Sequence, residues 1–365
     1  MPNFKDVISG IFNKASGGQS VLGVDVSSSS IKVVQLRKKG GRAVLETYGE
    51  LALGPYAKME AGQATNLPPE IISEGLKDVL KEAKVTTVNC GVAIPLSASL
   101  ITVMELPKMD EKQLASVVPL EARKYIPVAI QDVMLDWNVI PNVGPDGEDS
   151  KKLEVLIVAI HKDTIGKYQE IVRQAGLQAS FFEIEIFSTI RSSLDRGITP
   201  ILLIDFGVST TKLYVVEAGV VKNSHSINKG SQDITLAISS SMGIGTKEAE
   251  QIKRDVGINV KLENGELSNA SFAVLEYIIS DSKRVMLAYE RKHQRPITKI
   301  VFAGGGSLLK GLGDFASERF NVEVKIADPF KKVETPAFLE AVLSEAGPEF
   351  AVAIGTALRK LEELG

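Results

Sequence analysis

The chain has 365 residues, 44% hydrophobic and 24% charged, with a net charge of −3; at this length two lobes, each with its own apolar core, are the expectation. The near-balanced charge gives no means of gripping a nucleic-acid backbone, so no nucleic-acid partner is expected. A single cysteine, Cys90, excludes an internal disulfide and fits a reducing cytoplasm, and the scattered His161, His225 and His293 lack metal-ligand spacing.

At the start of the chain Phe4, Val7, Ile8, Ile11 and Phe12 share one helical face. Residues 1–19 therefore read as an amphipathic N-terminal segment and linker, either packed on its own domain or docked on a membrane surface or partner. The segment lacks the continuous apolar core of a secretory signal. Three β-rich runs follow, V-L-G-V-D-V, I-K-V-V-Q-L-R and A-V-L-E-T-Y-G-E-L-A-L, separated by a serine turn and the Gly40-Gly41 turn; they read as a meander. Helical spacing over 71–83 and a buried strand, V-N-C-G-V-A-I-P, add an α/β layer. A helix capped by Asp110 and ending at Pro127, strands over 135–140 and 153–160, a P-D-G turn at 145–147 and a helix over 164–175 read as an inserted block with its own small sheet. The longest apolar run in the middle of the chain falls far short of the roughly 20 residues that cross a bilayer. The opening order then returns about 180 residues later, from Asp25 to Asp205, as I-L-L-I-D-F-G, K-L-Y-V-V-E and G-V-V-K-N-S-H-S-I. An aspartate ends the first strand each time. This suggests two related halves facing a cleft; the alternative is two ordinary hairpins.

Asp25 is followed by Ser27, Ser28 and Ser29 and then by Lys32. Serines at a tight turn offer N–H groups and hydroxyls to phosphate oxygens, Lys32 adds a point charge, and Asp25 is placed to orient the water shell of a magnesium ion. The plain alternative is a polar hairpin with a solvated lysine. Asp205, Gly207, Ser209, Thr210 and Thr211 repeat the chemistry, so the two turns together suit the ends of a polyphosphate, with Asp25 and Asp205 on the magnesium side. A third run, K-I-V-F-A-G-G-G-S-L-L-K-G-L, carries a strand into Gly304, Gly305, Gly306 and Ser307 and then into a helix. Glycine there lets an adenine or ribose approach the backbone, and a helix N-terminus favours negative charge. Glu250 and Lys253 share a helical face, suited to ribose hydroxyls or, more simply, to an exposed ion pair. Gly230 completes the candidate nucleotide-contacting set.

Asp25, Ser28 and Lys32 resemble the first phosphate loop of actin, D-x-G-S-G-x-x-K. D-F-G-V-S-T-T resembles the second loop, D-x-G-G-G-T-T, of the bacterial actin-like proteins FtsA and MreB. T-K-E-A-E-Q-I-K is similar to their adenosine helix, and F-A-G-G-G-S-L-L-K-G-L to their adenosine loop. From Val21 onward the chain thus resembles the actin-like superfamily, which implies a duplicated, two-lobed α/β fold of the ribonuclease H-like kind, with ATP and Mg2+ as ligands. The insertion at 103–177 matches the position of FtsA's subdomain 1C, and M-E-L-P-K-M-D-E-K-Q-L leading into E-A-R-K-Y-I-P resembles the PilM family of type IV pilus assembly. The implied division is 20–102 plus 178–198 for subdomain 1A, 103–177 for 1C, 199–231 plus 299–365 for 2A, and 232–298 for 2B. The resemblance further implies a cytoplasmic ATP-binding protein that captures the N-terminal peptide of PilN, a bitopic inner-membrane protein, in a groove between 1A and 1C. Contacts with other pilus assembly proteins or with itself, and peripheral inner-membrane association through its partner, belong to the same implication.

Glu185 resembles the acid that positions the attacking water in MreB; the alternative is an ordinary glutamate in a helix's first turn. Ser27, Ser29, Val208 and Ser209 stand where actin-type loops carry glycines, and their side chains narrow the approach to phosphate. Binding is therefore expected more firmly than turnover. The rival readings are a filament-forming, membrane-associated ATPase like FtsA or MreB, and a small-molecule kinase of the same superfold.

Overall fold

A computed structural model describes residues 20–140, 152–195, 197–258 and 266–363. The amphipathic N-terminal segment and the P-D-G turn lie outside the described residues. In the first lobe, β1 (Ser20–Val26), β2 (Ser30–Lys39) and β3 (Arg42–Ala52) form the antiparallel meander. Gly40 and Gly41 both take positive φ, as their two-residue turn requires. β4 (Asn89–Ile94) joins the free side of β1 in parallel, and β8 (Gln178–Ile184) pairs in parallel with β4, giving the order β3-β2-β1-β4-β8. A parallel pairing needs a crossover, and α1 (Pro69–Glu82) supplies the first. The central strand β1 is apolar on both faces because both are covered. Leu22 and Val24 join a core with Leu76, Val79 and Ile171, while Val21 joins the opposite core with Ala353, Ile354 and Ala357.

The second lobe repeats this plan. β9 (Ile201–Phe206), β10 (Thr211–Glu217) and β11 (Val220–Ile227) form a meander, and β12 (Lys299–Ala303) and β13 (Glu323–Ile326) extend it in parallel, in the order β11-β10-β9-β12-β13. Even the irregularity recurs: the β2–β3 ladder shifts register between Gln35 and Leu36, and the β10–β11 ladder between Val215 and Val216. Coincidence between two ordinary hairpins does not produce matching sheet orders and matching bulges.

Between β4 and β8 lies the inserted block. β5 (Ser99–Pro107), β6 (Val133–Ile140) and β7 (Lys152–His161) make an antiparallel sheet in the order β5-β7-β6. α2 (Glu111–Ala122) shares a core with it, and Asp110 and Gln113 form a reciprocal capping box at its start. The helix tolerates Pro119 within it but stops at Ala122 rather than running to Pro127, which disfavours helical geometry at Ile126 and would clash with the Arg123 carbonyl. α3 (Lys162–Gln174) then returns to the first lobe and packs beside α1.

α4 (Glu185–Ser193) follows β8, and α5 (Ser231–Met242), α6 (Thr246–Val256) and the long α7 (Glu266–His293) occupy the region between β11 and β12, where the described residues contain no strand. α8 (Leu312–Phe320) belongs to the second lobe's core through Leu312 and Phe315. The end of the described chain departs from expectation. Instead of staying with the second lobe, α9 (Glu340–Ala346) and α10 (Ala351–Glu363) cover the first, where Phe330, Leu343, Phe350 and Leu361 share a core with Val21, Leu36 and Leu45. Apolar periodicity marks which face of a helix is buried but not which sheet buries it. No helix among the described residues is long and apolar enough to cross a membrane.

Candidate functional site

The two lobes present matching turns. Antiparallel pairing sets Asp25 opposite Lys32 and Asp205 opposite Lys212. Each turn closes on one backbone hydrogen bond, Ser27 N–H to Ser30 O at 2.9 Å and Gly207 N–H to Thr210 O at 3.0 Å. In the first turn the Ser27 hydroxyl also donates to Ser30 O at 2.9 Å and accepts from Ser30 N–H at 3.2 Å, so its side chain rigidifies a loop that glycine would leave loose. Ser28 is exposed at the tip, its carbonyl held by the N–H and hydroxyl of Thr65, while Ser29 is buried.

Charged groups converge between the turns. Lys212 Nζ lies 2.8 Å from Glu185 Oε1 and 3.4 Å from Asp205 Oδ2. Glu185, the first residue of α4, also accepts the Leu96 N–H at 2.6 Å. Burial works against the Lys212 ammonium, but the charges of Glu185 and Asp205 outweigh it and hold its pKa above the ordinary lysine value. Burial pushes the Asp25 carboxyl up to about 7; Glu185 and Asp205 add to the rise, and Lys32 and Lys212 oppose it.

A second cluster adjoins the first turn. Lys32 Nζ donates to Ser30 Oγ at 2.6 Å and lies 3.0 Å from Glu50, which is hydrogen-bonded to Glu349 from the turn before α10. Burial, followed by the Glu50 charge, pushes Glu349 up to about 7. Burial would raise Glu50 too, yet Lys32 outweighs it and holds Glu50 below the usual range. The folded protein thus keeps Glu349 and Asp25 protonated to higher pH than the unfolded chain, whose ordinary values are 4.5 and 3.8. Their stabilising contribution is whole below those values and is lost as pH rises through about 7. Glu349→Gln is expected to remove its share of that loss, so that melting temperature falls less steeply with pH than in the wild type. Parallel pH profiles would show that Glu349 ionises normally.

The second turn is locked to α5. The N–H groups of Ser231 and Gln232 donate to Gly207 O and Val208 O at 3.0 and 2.9 Å, and a Cβ on Gly230 would stand 2.2 Å from Val208 O. These first N–H groups of a helix are therefore spent on the loop instead of being left for an anion. Thr211 is fully buried and donates to Lys229 O at 2.8 Å, so it braces the turn and does not face the cleft as expected. Ser209 and Thr210 stay half-buried at the turn.

Glu250 and Lys253 pair at 2.7 Å, and the Thr235 hydroxyl donates to Glu250 at 2.6 Å. This pair is largely buried and not the exposed one that spacing alone allowed. The segment after β3 reaches across to the helices that carry it, through Ala64 N–H to Gln232 Oε1 at 2.8 Å and Gln63 Nε2 to Thr246 Oγ1 at 3.0 Å. A cavity of about 180 Å³ lies between that segment and Gln232, Thr235, Thr246 and Glu250.

Gly304, Gly305 and Gly306 open a short turn of 3-10 helix, Gly305–Leu308, and the next α-helix begins only at Leu312. The helix N-terminus expected at the glycines is therefore elsewhere. Gly304 takes positive φ, and a Cβ there would stand 2.5 Å from Asp205 Oδ1; one on Gly306 would stand 2.5 Å from Phe206 Cγ. The glycines are needed so that this loop can lie on the strand end that carries Asp205. Buried Ser307 donates to Gly304 O at 2.7 Å and braces the loop.

The structure thus gathers Asp25, Lys32, Glu185, Asp205 and the Gly304–306 loop, with Gly230, Glu250 and Lys253 beside the second turn. Lys212 and Glu349 escaped the sequence reading, although Lys212 follows Asp205 by the same interval as Lys32 follows Asp25. Among the described residues no group of three His, Cys, Asp or Glu could hold a metal ion alone. The buried Tyr214 hydroxyl, two residues beyond Lys212, has no hydrogen-bond partner among the described residues and feels the Glu185 and Asp205 charges. Facing acids, two lysines and an orphan hydroxyl suit an anion that arrives with a hydrated cation better than they suit a bare ion.

Comparison with known proteins agrees with the architecture. The chain is 22% identical over 339 residues to the cell division protein FtsA of Neisseria meningitidis serogroup B, covering 80% of this chain and 81% of that protein. The structure is similar to the solved PilM–PilN type IV pilus biogenesis complex, with 24% identity, a TM-score of 0.77 and coverage of 93% of this chain and 98% of that one. MreB5 of Spiroplasma citri, solved with bound AMPPNP, matches at 13% identity and a TM-score of 0.53, over 95% and 98% of the two chains. EutJ, the ethanolamine utilization protein of Carboxydothermus hydrogenoformans, matches at 15% and 0.54, over 97% and 94%. The fold is actin-like. The family model described as type IV pilus assembly protein PilM matches residues 23–361, and the chain belongs to that family.

Proposed function

We propose that the chain is a cytoplasmic ATP-binding scaffold of the type IV pilus inner-membrane assembly platform, which captures the N-terminal cytoplasmic peptide of PilN between its first lobe and the inserted subdomain. The observation that carries the nucleotide half is the pair of Asp–Lys hairpins, one from each lobe, with Lys212 of the second bridging its own Asp205 to Glu185 of the first lobe. In this reading Ser28, Ser209 and Thr210 cradle phosphate oxygens, Asp25 and Asp205 hold the water shell of Mg2+, and Glu250 and Lys253 meet the ribose. Magnesium, when bound, supplies neutralisation of the polyphosphate. Glu185 already spends Oε1 on Leu96 and Lys212, which favours holding ATP over hydrolysing it. The peptide half is supported by family membership and by likeness to the solved PilM–PilN complex. Exposed Leu120, Tyr125 and Val128 give the inserted subdomain apolar surface for such a segment. Coupling between the two ligands requires that nucleotide bind two lobe angles unequally.

Calorimetric titration with magnesium-ATP, with and without a synthetic N-terminal PilN peptide, tests both halves. Each ligand should shift the affinity of the other by the same factor. ATP binding without peptide binding would retire the pilus half alone. Lys32→Ala is expected to weaken magnesium-ATP by about tenfold, the worth of one charge-assisted hydrogen bond, with an unchanged circular dichroism spectrum. Unaltered affinity would remove Lys32 from the site.

A further inference from the structure

Lys212 stands where the two lobes meet. Its ammonium bridges Glu185, from the helix packed on the first sheet, and Asp205, from the central strand of the second. Its place on β10 reproduces that of Lys32 on β2, since each lysine pairs directly with the aspartate of its own hairpin. The partners differ, however. Lys32 is turned to Glu50 at the edge of the cleft, whereas Lys212 sits between two buried carboxylates, which is where a divalent cation would seek ligands.

We propose that Lys212 is the resident cation of the cleft: it neutralises Glu185 and Asp205 before nucleotide arrives and offers its remaining N–H to a terminal phosphate oxygen of a nucleoside triphosphate. This rests on the nucleotide reading above. An ammonium has three donors, and two are directed at Glu185 and Asp205. Its four-carbon stem lets the head move between carboxylate and phosphate without moving the strand. Two consequences follow from charge alone. A divalent ion entering without nucleotide must displace a bound ammonium from the same carboxylates, so free-metal affinity is suppressed. A triphosphate entering without metal still meets a cation at its far end, so binding survives chelation of the metal.

Two titrations on the full chain test this: Mn2+ followed by electron paramagnetic resonance without nucleotide, and ATP followed by calorimetry in EDTA and again with magnesium. Lys212→Met is expected to gain at least about tenfold in Mn2+ affinity and to lose at least about tenfold in ATP affinity in EDTA, one charge-assisted hydrogen bond in each direction. Its loss with magnesium present should be smaller, and Lys212→Arg should keep most of the metal-free ATP binding. A Lys212→Met protein unchanged in both titrations makes the lysine a purely structural ion-pair partner and overturns the proposal. If that variant does not fold, the wild type decides, because loss of all ATP affinity in EDTA also overturns it. Wild-type protein that binds no ATP under either condition refutes the nucleotide reading instead, while the Mn2+ titration still reports whether Lys212 occupies the cation position.

Discussion

Gly355→Ala is expected to cost about 3 kcal/mol or more, at the upper end of what overpacking usually exacts. A Cβ at that position would stand 1.9 Å from Ser188 O and 2.7 Å from Ser188 Cα, both backbone atoms of α4 that no rotamer change can move aside. Retreat in the other direction is blocked as well. Gly23 of β1 lies so close beneath α10 that its own Cβ would meet Ala353 O at 2.0 Å, and one on Gly91 would approach Thr356 Cγ2 at 2.9 Å. The helix is wedged between a strand and a neighbouring helix by backbone contacts on both sides. Gly166 provides the contrast, because it lies within α3 and a Cβ there would meet no described atom within 4 Å beyond its own stretch of helix backbone. Gly166→Ala should stabilise by roughly 0.5–1 kcal/mol through helix propensity. Urea midpoints of the two variants should therefore move in opposite directions, and a wild-type midpoint for Gly355→Ala would contradict the described packing.

Asp205→Asn is expected to weaken magnesium-ATP by about a hundredfold, as two charge-assisted contacts of about 1.5 kcal/mol each are lost with the carboxylate charge. Asparagine is chosen because the Gly304 loop lies against the Asp205 side chain, and truncation to alanine would open that contact as well as remove the charge. The amide keeps the shape, so a calorimetric loss reports on the charge. Among the described residues it also leaves Lys212 with Glu185 as its one carboxylate partner within ion-pair distance. An asparagine variant that binds magnesium-ATP like the wild type would move the site away from the second hairpin.

The hairpins were legible because their chemistry is local. An acid, a run of small polar residues and a lysine within eight positions can be read from the chain, and the Asp110 N-cap is equally self-contained. Lys212 obeyed the same spacing yet was passed over, since the glycine-and-threonine motif ends one residue before it. The Glu50–Glu349 pair had no local signal, because its members come from opposite ends of the chain and each alone looks like a surface carboxylate. Gly230, Gly304 and Gly306 show a related limit: glycine permits close approach, but only the fold shows that the groups brought close include the protein's own backbone and the Asp205 strand.

The placement of α10 also bears on the order in which the molecule can be made. β1, β2 and β4 leave the ribosome early, but the helix that covers one face of their sheet is the last described element to emerge. The second lobe draws its core from residues 202–320 and can close while that sheet is still bare on one side. The lobe whose strands come first is therefore the one that must finish last, and the growing chain carries an uncovered, strand-rich surface until α10 emerges, a liability suited to chaperone protection.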